Sequence, residues 1–322
     1  MGDYGHVMTA MVTPFDADGQ VDYSKVVELT DFLIAEGSDS LLVCGTTGES
    51  PTLTNNEKAK LFKTVKEAAK GRVPVVAGTG TNNTATSVTM SKAAHENGAD
   101  ALLLVNPYYN KPPQEGLYRH FRTVAEATPL PVIIYNIPGR TGVNLETATL
   151  KRLAELPNVV AVKEASGSVD QVSEIARAIG AADSVLEKAG QLVAAGSPRA
   201  AGPEEAAKRF WIYSGDDSLT LPFLSVGATG VISVASHVAG KQIREMVTAF
   251  IGGDPARAAA LHARLLPLFK GLFVTTNPIL TKAALKLRGL DPGGLRLPLV
   301  DATEEQVEKL KAVMREAQID VA

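Results

Sequence analysis

Lys163 closes the run Val159-Val160-Ala161-Val162, which reads as a β-branched strand apolar on both faces. A long cationic side chain is poor filler for such a strand. Burial penalises the ammonium form and lowers its pKa, leaving a neutral amine able to attack a carbonyl as a Schiff-base lysine does. The alternative is that Lys163 has left the sheet and points into water. Imine formation also needs a proton shuttle to expel water from the carbinolamine. Tyr135, in the apolar run Val132–Ile137, can donate and accept that proton, although a phenol with a pKa near 10 is poor at this alone. A hydroxyl from Thr46 and a second phenol from Tyr109 would connect it to solvent. Backbone N–H groups of the glycine-flanked Thr46-Thr47 turn, and the Thr47 hydroxyl, can hold a carboxylate. Arg140 can bind a second carboxylate with both arms of its guanidinium.

Each residue also has an unremarkable reading. Gly45-Thr46-Thr47-Gly48 is a plain turn, Tyr108-Tyr109 beside prolines is loop packing, Arg140 is a surface charge and Tyr135 a strand aromatic. Glu49 and Glu164 read better as loop anchors or ion-pair partners than as acid and base. The five histidines show no metal-ligand spacing, and Ser50 and Ser214 lack a matching triad, so neither metal nor cofactor is expected.

What must position these residues is an alternation of short apolar runs with amphipathic stretches. Strands are expected over 8–12, 40–43, 73–78, 101–105, 132–137, 159–163, 210–214 and 231–234. Helices are expected over 24–36, 55–70, 84–97, 114–127, 145–156, 169–179, 219–226 and 238–251. Thr54-x-x-Glu57 and Ser168-x-x-Gln171 have the capping-box pattern, and Gly37, Gly71, Gly98 and Gly180 mark helix ends. Eight such units favour closure into a (β/α)8 TIM barrel over an open sheet, and no Gly-x-Gly-x-x-Gly follows the first strand. The candidate residues then fall just after strands two, four, five, six and seven, at the end where barrel enzymes do chemistry. Gly215 follows the seventh of these strands, and Ile232 lies in the eighth.

The expected organisation is a barrel over 1–252 and a C-terminal helical region over 253–322, with helices at 255–273, 276–287 and 303–317. An insertion at 181–209 precedes the seventh strand. Ser184-x-x-Glu187 could cap a helix to Ala195, Gly196-Ser197-Pro198-Arg199 reads as a turn and Gly202-Pro203 as another helix start. Its place in an αβ loop argues packing rather than catalysis.

Composition agrees with a soluble globule. The 322 residues are 45% hydrophobic and 21% charged, with 32 basic and 35 acidic residues and no basic stripe, which disfavours nucleic acid. The single cysteine, Cys44, excludes an internal disulfide and reads as a small buried hydrophobe. No apolar run approaches the ~20 residues of a membrane helix, and Met1–His6 does not resemble a signal peptide, so a cytoplasmic protein is expected.

Taken together, Gly45–Ser50, Pro107-Tyr108-Tyr109-Asn110-Lys111-Pro112, Tyr135-Asn136-Ile137-Pro138-Gly139-Arg140-Thr141, Val162-Lys163-Glu164-Ala165 and Gly215-Asp216-Asp217 resemble the 4-hydroxy-tetrahydrodipicolinate (dihydrodipicolinate) synthases. The resemblance runs from about Thr9 to about Gly289, outside the insertion. It implies condensation of pyruvate with L-aspartate 4-semialdehyde in the diaminopimelate route to lysine. Lys163 would form the imine, and Tyr135, Thr46 and Tyr109 would relay protons. Thr47 and the Ile232 backbone would hold the pyruvate carboxylate, Gly215 would lie against the substrate, and Arg140 would bind the carboxylate of the second substrate. In the family the Tyr109 position reaches a neighbouring subunit's site, which implies at least a dimer and usually a tetramer.

Relatives with the same lysine cleave N-acetylneuraminate or 2-keto-3-deoxy sugar acids; Arg140 after Pro138-Gly139 resembles the synthases instead. A barrel that only binds a small carboxylate, its lysine chemically silent, is the non-enzymatic alternative. Lysine-sensitive members of the family carry histidine and glutamate where this chain has Lys58 and Thr86, while Asn82 and Tyr108 match, so feedback by L-lysine is expected to be weak or absent. Ala165-Ser166-Gly167 departs conservatively from the commoner Ala-Thr-Gly.

Overall fold

Eight short strands, buried at nearly every position, pair in parallel and in sequence order: β1 (Val7–Ala10), β2 (Ser40–Val43), β3 (Val75–Gly78), β4 (Ala101–Val105), β5 (Val132–Asn136), β6 (Val159–Glu164), β7 (Trp211–Ser214) and β8 (Gly230–Ser233). β8 returns to pair with β1, with Met8 opposite Ile232, so the sheet is a closed TIM barrel as the eight-unit pattern predicts. The computed structural model describes residues 4–181 and 210–321. Apart from Ala181, the insertion, with the helix and turn expected in it, lies outside them.

Several boundaries move for identifiable reasons. β3 starts at Val75 rather than Val73 because Pro74 has no N–H for the ladder; its carbonyl still accepts from Leu41 N at 3.0 Å. The helix expected from Leu145 starts at Thr147, since the Leu145 N–H donates to Asn136 Oδ1 at 2.9 Å instead. A short helix at Pro138–Thr141 is additional; it begins on a proline and stops at Gly142, whose φ of 74° favours glycine. Thr54 and Glu57 form a full capping box. Ser168 makes only half of one: its side chain accepts from Gln171 N, but the Gln171 amide is engaged elsewhere.

Alternation along each strand divides the core in two. Outward residues such as Val43, Ile134 and Val162 pack under the helices. Inward residues fill the barrel, among them Met8, Leu42, Ile133, Trp211 and Ile232, and Tyr4 closes the lower end with its ring edge-on to Trp211. The phase breaks once. Val132 pairs with Val159, but Ile133 pairs with Ala161, so Val160 is an extra residue on β6 and both Val160 and Ala161 face inward. Above this bulge Tyr135 lies directly beside Lys163 and Asn136 beside Glu164.

Helices at Ser236–Ile251, Pro255–Gly271, Ile279–Leu287 and Glu304–Glu316 share an apolar cluster with Val7 and Val231 from the outer face of the barrel. No helix among the described residues is long and apolar enough to cross a membrane.

Candidate active site

The upper barrel end holds a cavity of about 50 Å³ lined by Thr46, Thr47, Tyr135, Arg140, Lys163 and Gly215, with Val234, Phe273 and Asn277 among its other walls. Lys163 is 5% exposed, and its Nζ lies 4.3 Å from the centre of the Tyr135 ring. Lys163 has therefore stayed in the sheet. Burial lowers its pKa to about 7; the Asp217 carboxylate works against that and the Arg140 guanidinium adds to it. At neutral pH a large share of this amine carries a free lone pair. Burial pushes Tyr135 the other way, to about 12, opposed by Arg140 and by a hydrogen bond with the Thr46 side chain. The phenol thus keeps its proton beside an amine of which a large share is neutral, so a hydroxyl donor and a nucleophile stand side by side.

Gly215 leaves room for the lysine. A Cβ there would stand 2.7 Å from Ala165 Cβ and 3.2 Å from Lys163 Cε, while its N–H donates to Glu164 O at 2.8 Å. Two residues on, Asp217 is buried and knits β7 to the end of β8, accepting from the Ser233 hydroxyl and from the N–H groups of Val234 and Ala235. Thr47 is buried, and its hydroxyl oxygen accepts from Asn277 Nδ2 at 2.9 Å. Arg140, on the short helix after β5, is exposed and lines this cavity as well as an adjoining one of about 220 Å³. The larger cavity also takes in Cys44, Lys58 and Tyr108. Cys44 is buried, and burial raises its thiol to about 12, which leaves it inert.

The two glutamates are structural. Glu164 accepts from Asn136, the Ser166 N–H and Gln171, on the side of β6 away from the lysine. Glu49 pairs with Lys282 at 2.8 Å, both side chains 1% exposed.

Two expected residues stand apart. Tyr109 is 90% exposed, with φ of 73°, and lines neither cavity; it does not join Tyr135 and Thr46 within one chain. Ile232 points into the barrel core, and Val234 takes the place at the cavity wall. Conversely, Asn277 and Phe273 reach the site from beyond the barrel. The helix expected over 276–287 hides Asn277, yet Asn277-Pro278 is a dipeptide that favours turns, and the helix begins only at Ile279.

Residues 3–193 and 201–317 match the family model described as the dihydrodipicolinate synthetase family. A 4-hydroxy-tetrahydrodipicolinate synthase of Symbiobacterium thermophilum is 54% identical over 318 residues, covering 98% of this chain and 99% of the relative. The crystal structure of a dihydrodipicolinate synthase from Bacillus anthracis superposes with a TM-score of 0.87 at 45% identity, covering 98% and 99% of the two chains. That of the enzyme from Cyanidioschyzon merolae with lysine bound does so with 0.87 at 44%, covering 98% of each. With a matched model spanning nearly its whole length and relatives this similar, the chain belongs to the dihydrodipicolinate synthetase family.

Proposed function

We propose that the chain is a 4-hydroxy-tetrahydrodipicolinate synthase, condensing pyruvate with L-aspartate 4-semialdehyde in the pathway to diaminopimelate and lysine. The observation that carries the mechanism is the Lys163–Tyr135 pair: a buried amine lowered to about 7 against a phenol raised to about 12. The neutral amine attacks C2 of pyruvate. The carbinolamine loses its hydroxyl as water, protonated by Tyr135, and the imine forms. Loss of a C3 proton gives the enamine, whose carbon attacks the aldehyde. The amino group of the second substrate then attacks the imine carbon, which releases Lys163 and closes the ring. Thr46, hydrogen-bonded to Tyr135, passes protons onward. The Thr47 hydroxyl holds the pyruvate carboxylate, and Gly215 gives the imine carbon space.

Arg140 favours condensation over cleavage of a sugar acid. Its guanidinium stands over the same cavity as Lys163, placed to bind a carboxylate on the incoming aldehyde. The exposure of Tyr109 supports an assembly, a tetramer built as a dimer of dimers, in which this phenol completes the relay of another copy.

Borohydride reduction in the presence of pyruvate should fix a permanent mass increase on Lys163, and the enzyme should consume L-aspartate 4-semialdehyde only when pyruvate is present. An unmodified Lys163 would remove the imine mechanism. Trapping with pyruvate release from a sugar acid, and no loss of the aldehyde, would replace synthase with lyase.

A further inference from the structure

The segment after the barrel touches the Thr46-Thr47 turn at two points. Thr281 Oγ1 donates to Asn277 Oδ1 at 3.0 Å, and Asn277 Nδ2 donates to Thr47 Oγ1 at 2.9 Å, all three residues being buried. Two residues further along the turn, Glu49 pairs with Lys282 and accepts from Arg296 N at 3.0 Å. Cys44 and Glu49, which bracket the turn, both have left-handed backbones, with φ of 56° and 54°. Non-glycine residues keep such conformations only where their surroundings hold them.

The direction of these hydrogen bonds has a chemical consequence. A threonine hydroxyl has one proton to give and two lone pairs. Because Asn277 donates, it occupies a lone pair of Thr47 and leaves the proton free for the cavity that Lys163 also lines. We propose that Asn277 is a positioning residue, which the chain Thr281–Asn277–Thr47 uses to fix the Thr47 hydroxyl as a donor to the carboxylate of the 2-oxo acid. The inference rests on Thr47 serving as the ligand of the pyruvate carboxylate.

Asn277→Asp tests it with almost no change of shape. The aspartate can only accept, so it draws the Thr47 proton away and adds a negative charge facing the substrate carboxylate. A hydrogen bond to a charged group lost in this way should raise the KM for pyruvate about tenfold or more. The KM for L-aspartate 4-semialdehyde should stay put and kcat should fall less. In borohydride trapping, the preference for pyruvate over its methyl ester should shrink by a similar factor, a ratio that partial misfolding leaves alone. Thr281→Val should push in the same direction, and Thr281→Ser, which keeps the hydroxyl, should restore the wild-type KM. Unchanged pyruvate KM and ester preference in Asn277→Asp would overturn the role of Asn277. So would parallel losses in both KM values and kcat with Thr281→Ser as impaired as Thr281→Val, since that is the mark of a merely structural contact. Failure of the wild-type chain to trap pyruvate on Lys163 would instead overturn the underlying pyruvate reading.

Discussion

Replacing Lys163 by methionine should abolish imine formation and at the same time stabilise the protein, by an amount that depends on pH. The folded chain lowers the pKa of this amine from 10.5 to about 7, chiefly by burial. Between those values the unfolded chain binds more protons at this site, so its contribution to stability rises with pH, and the full penalty of burying it falls on the protein below pH 7. At about 1.4 kcal/mol for each factor of ten in proton affinity, the penalty is about 5 kcal/mol at pH 6 and about 2 kcal/mol at pH 9. Methionine has a similar length, no charge and ready tolerance of irregular packing, so Lys163→Met should recover most of that. Thermal unfolding of both proteins at matched concentration would read the difference as a higher Tm for the variant. The gap should be larger at pH 6 than at pH 9 by about 6 °C, taking about 2 °C per kcal/mol for a chain of this size. Titrating groups distant from Lys163 are common to the two proteins and cancel in the comparison. A gap that does not change between pH 6 and pH 9, or a variant less stable at both, would refute the claim that this lysine is poised by burial.

Gly215→Ala puts a Cβ against the rigid Cβ of Ala165 and close to Lys163 Cε, so it should cost about 1–3 kcal/mol of stability and slow pyruvate trapping about tenfold; trapping at the wild-type rate would show that the lysine does not need that space. Tyr109→Phe and Lys163→Met, each impaired alone, should regain about a quarter of wild-type activity when co-assembled, because in mixed pairs one site has both groups intact. No recovery from demonstrably mixed assemblies would confine Tyr109 to its own chain. Lys58, 8% exposed and with no side-chain hydrogen bond or ion pair among the described residues, lines the larger cavity beside Tyr108, and should repel a cationic ligand. L-Lysine should inhibit only weakly, and Lys58→His should strengthen inhibition; a micromolar inhibition constant for the unaltered chain would contradict this.

The barrel was legible because its strands are largely apolar on both faces and its helices on one, a contrast that survives errors of one or two residues at element ends. Lys163, Tyr135, Thr46, Thr47, Arg140 and Gly215 were legible for a related reason: strand ends in a closed barrel converge whatever the register. Their contact was not. Tyr135 and Lys163 adjoin only because β6 carries an extra residue, and nothing in Val159-Val160-Ala161-Val162 distinguishes a bulge from strict alternation. Asn277 escaped for another reason: its partner Thr47 is 230 positions away, and a side-chain hydrogen bond at that separation leaves no periodic trace. Tyr109, legible as a residue type, lines neither cavity of a single chain, and the relay proposed for it needs a second copy that no pattern within one sequence can place.

The bulge on β6 bears on which length changes this gene could survive. Deleting one residue from a barrel strand ordinarily swaps its inner and outer faces, a lethal exchange when one face carries the nucleophile. Here the supernumerary residue sits below the amine, and Ala161–Glu164 keep their partners on β5 and β7 without it. Loss of the Val160 codon would be absorbed at the bottom of the barrel, where the change is one of hydrophobic filling, and Lys163 would still face Tyr135. At this one point along its length the strand can lose a residue and keep the register that the chemistry above it needs.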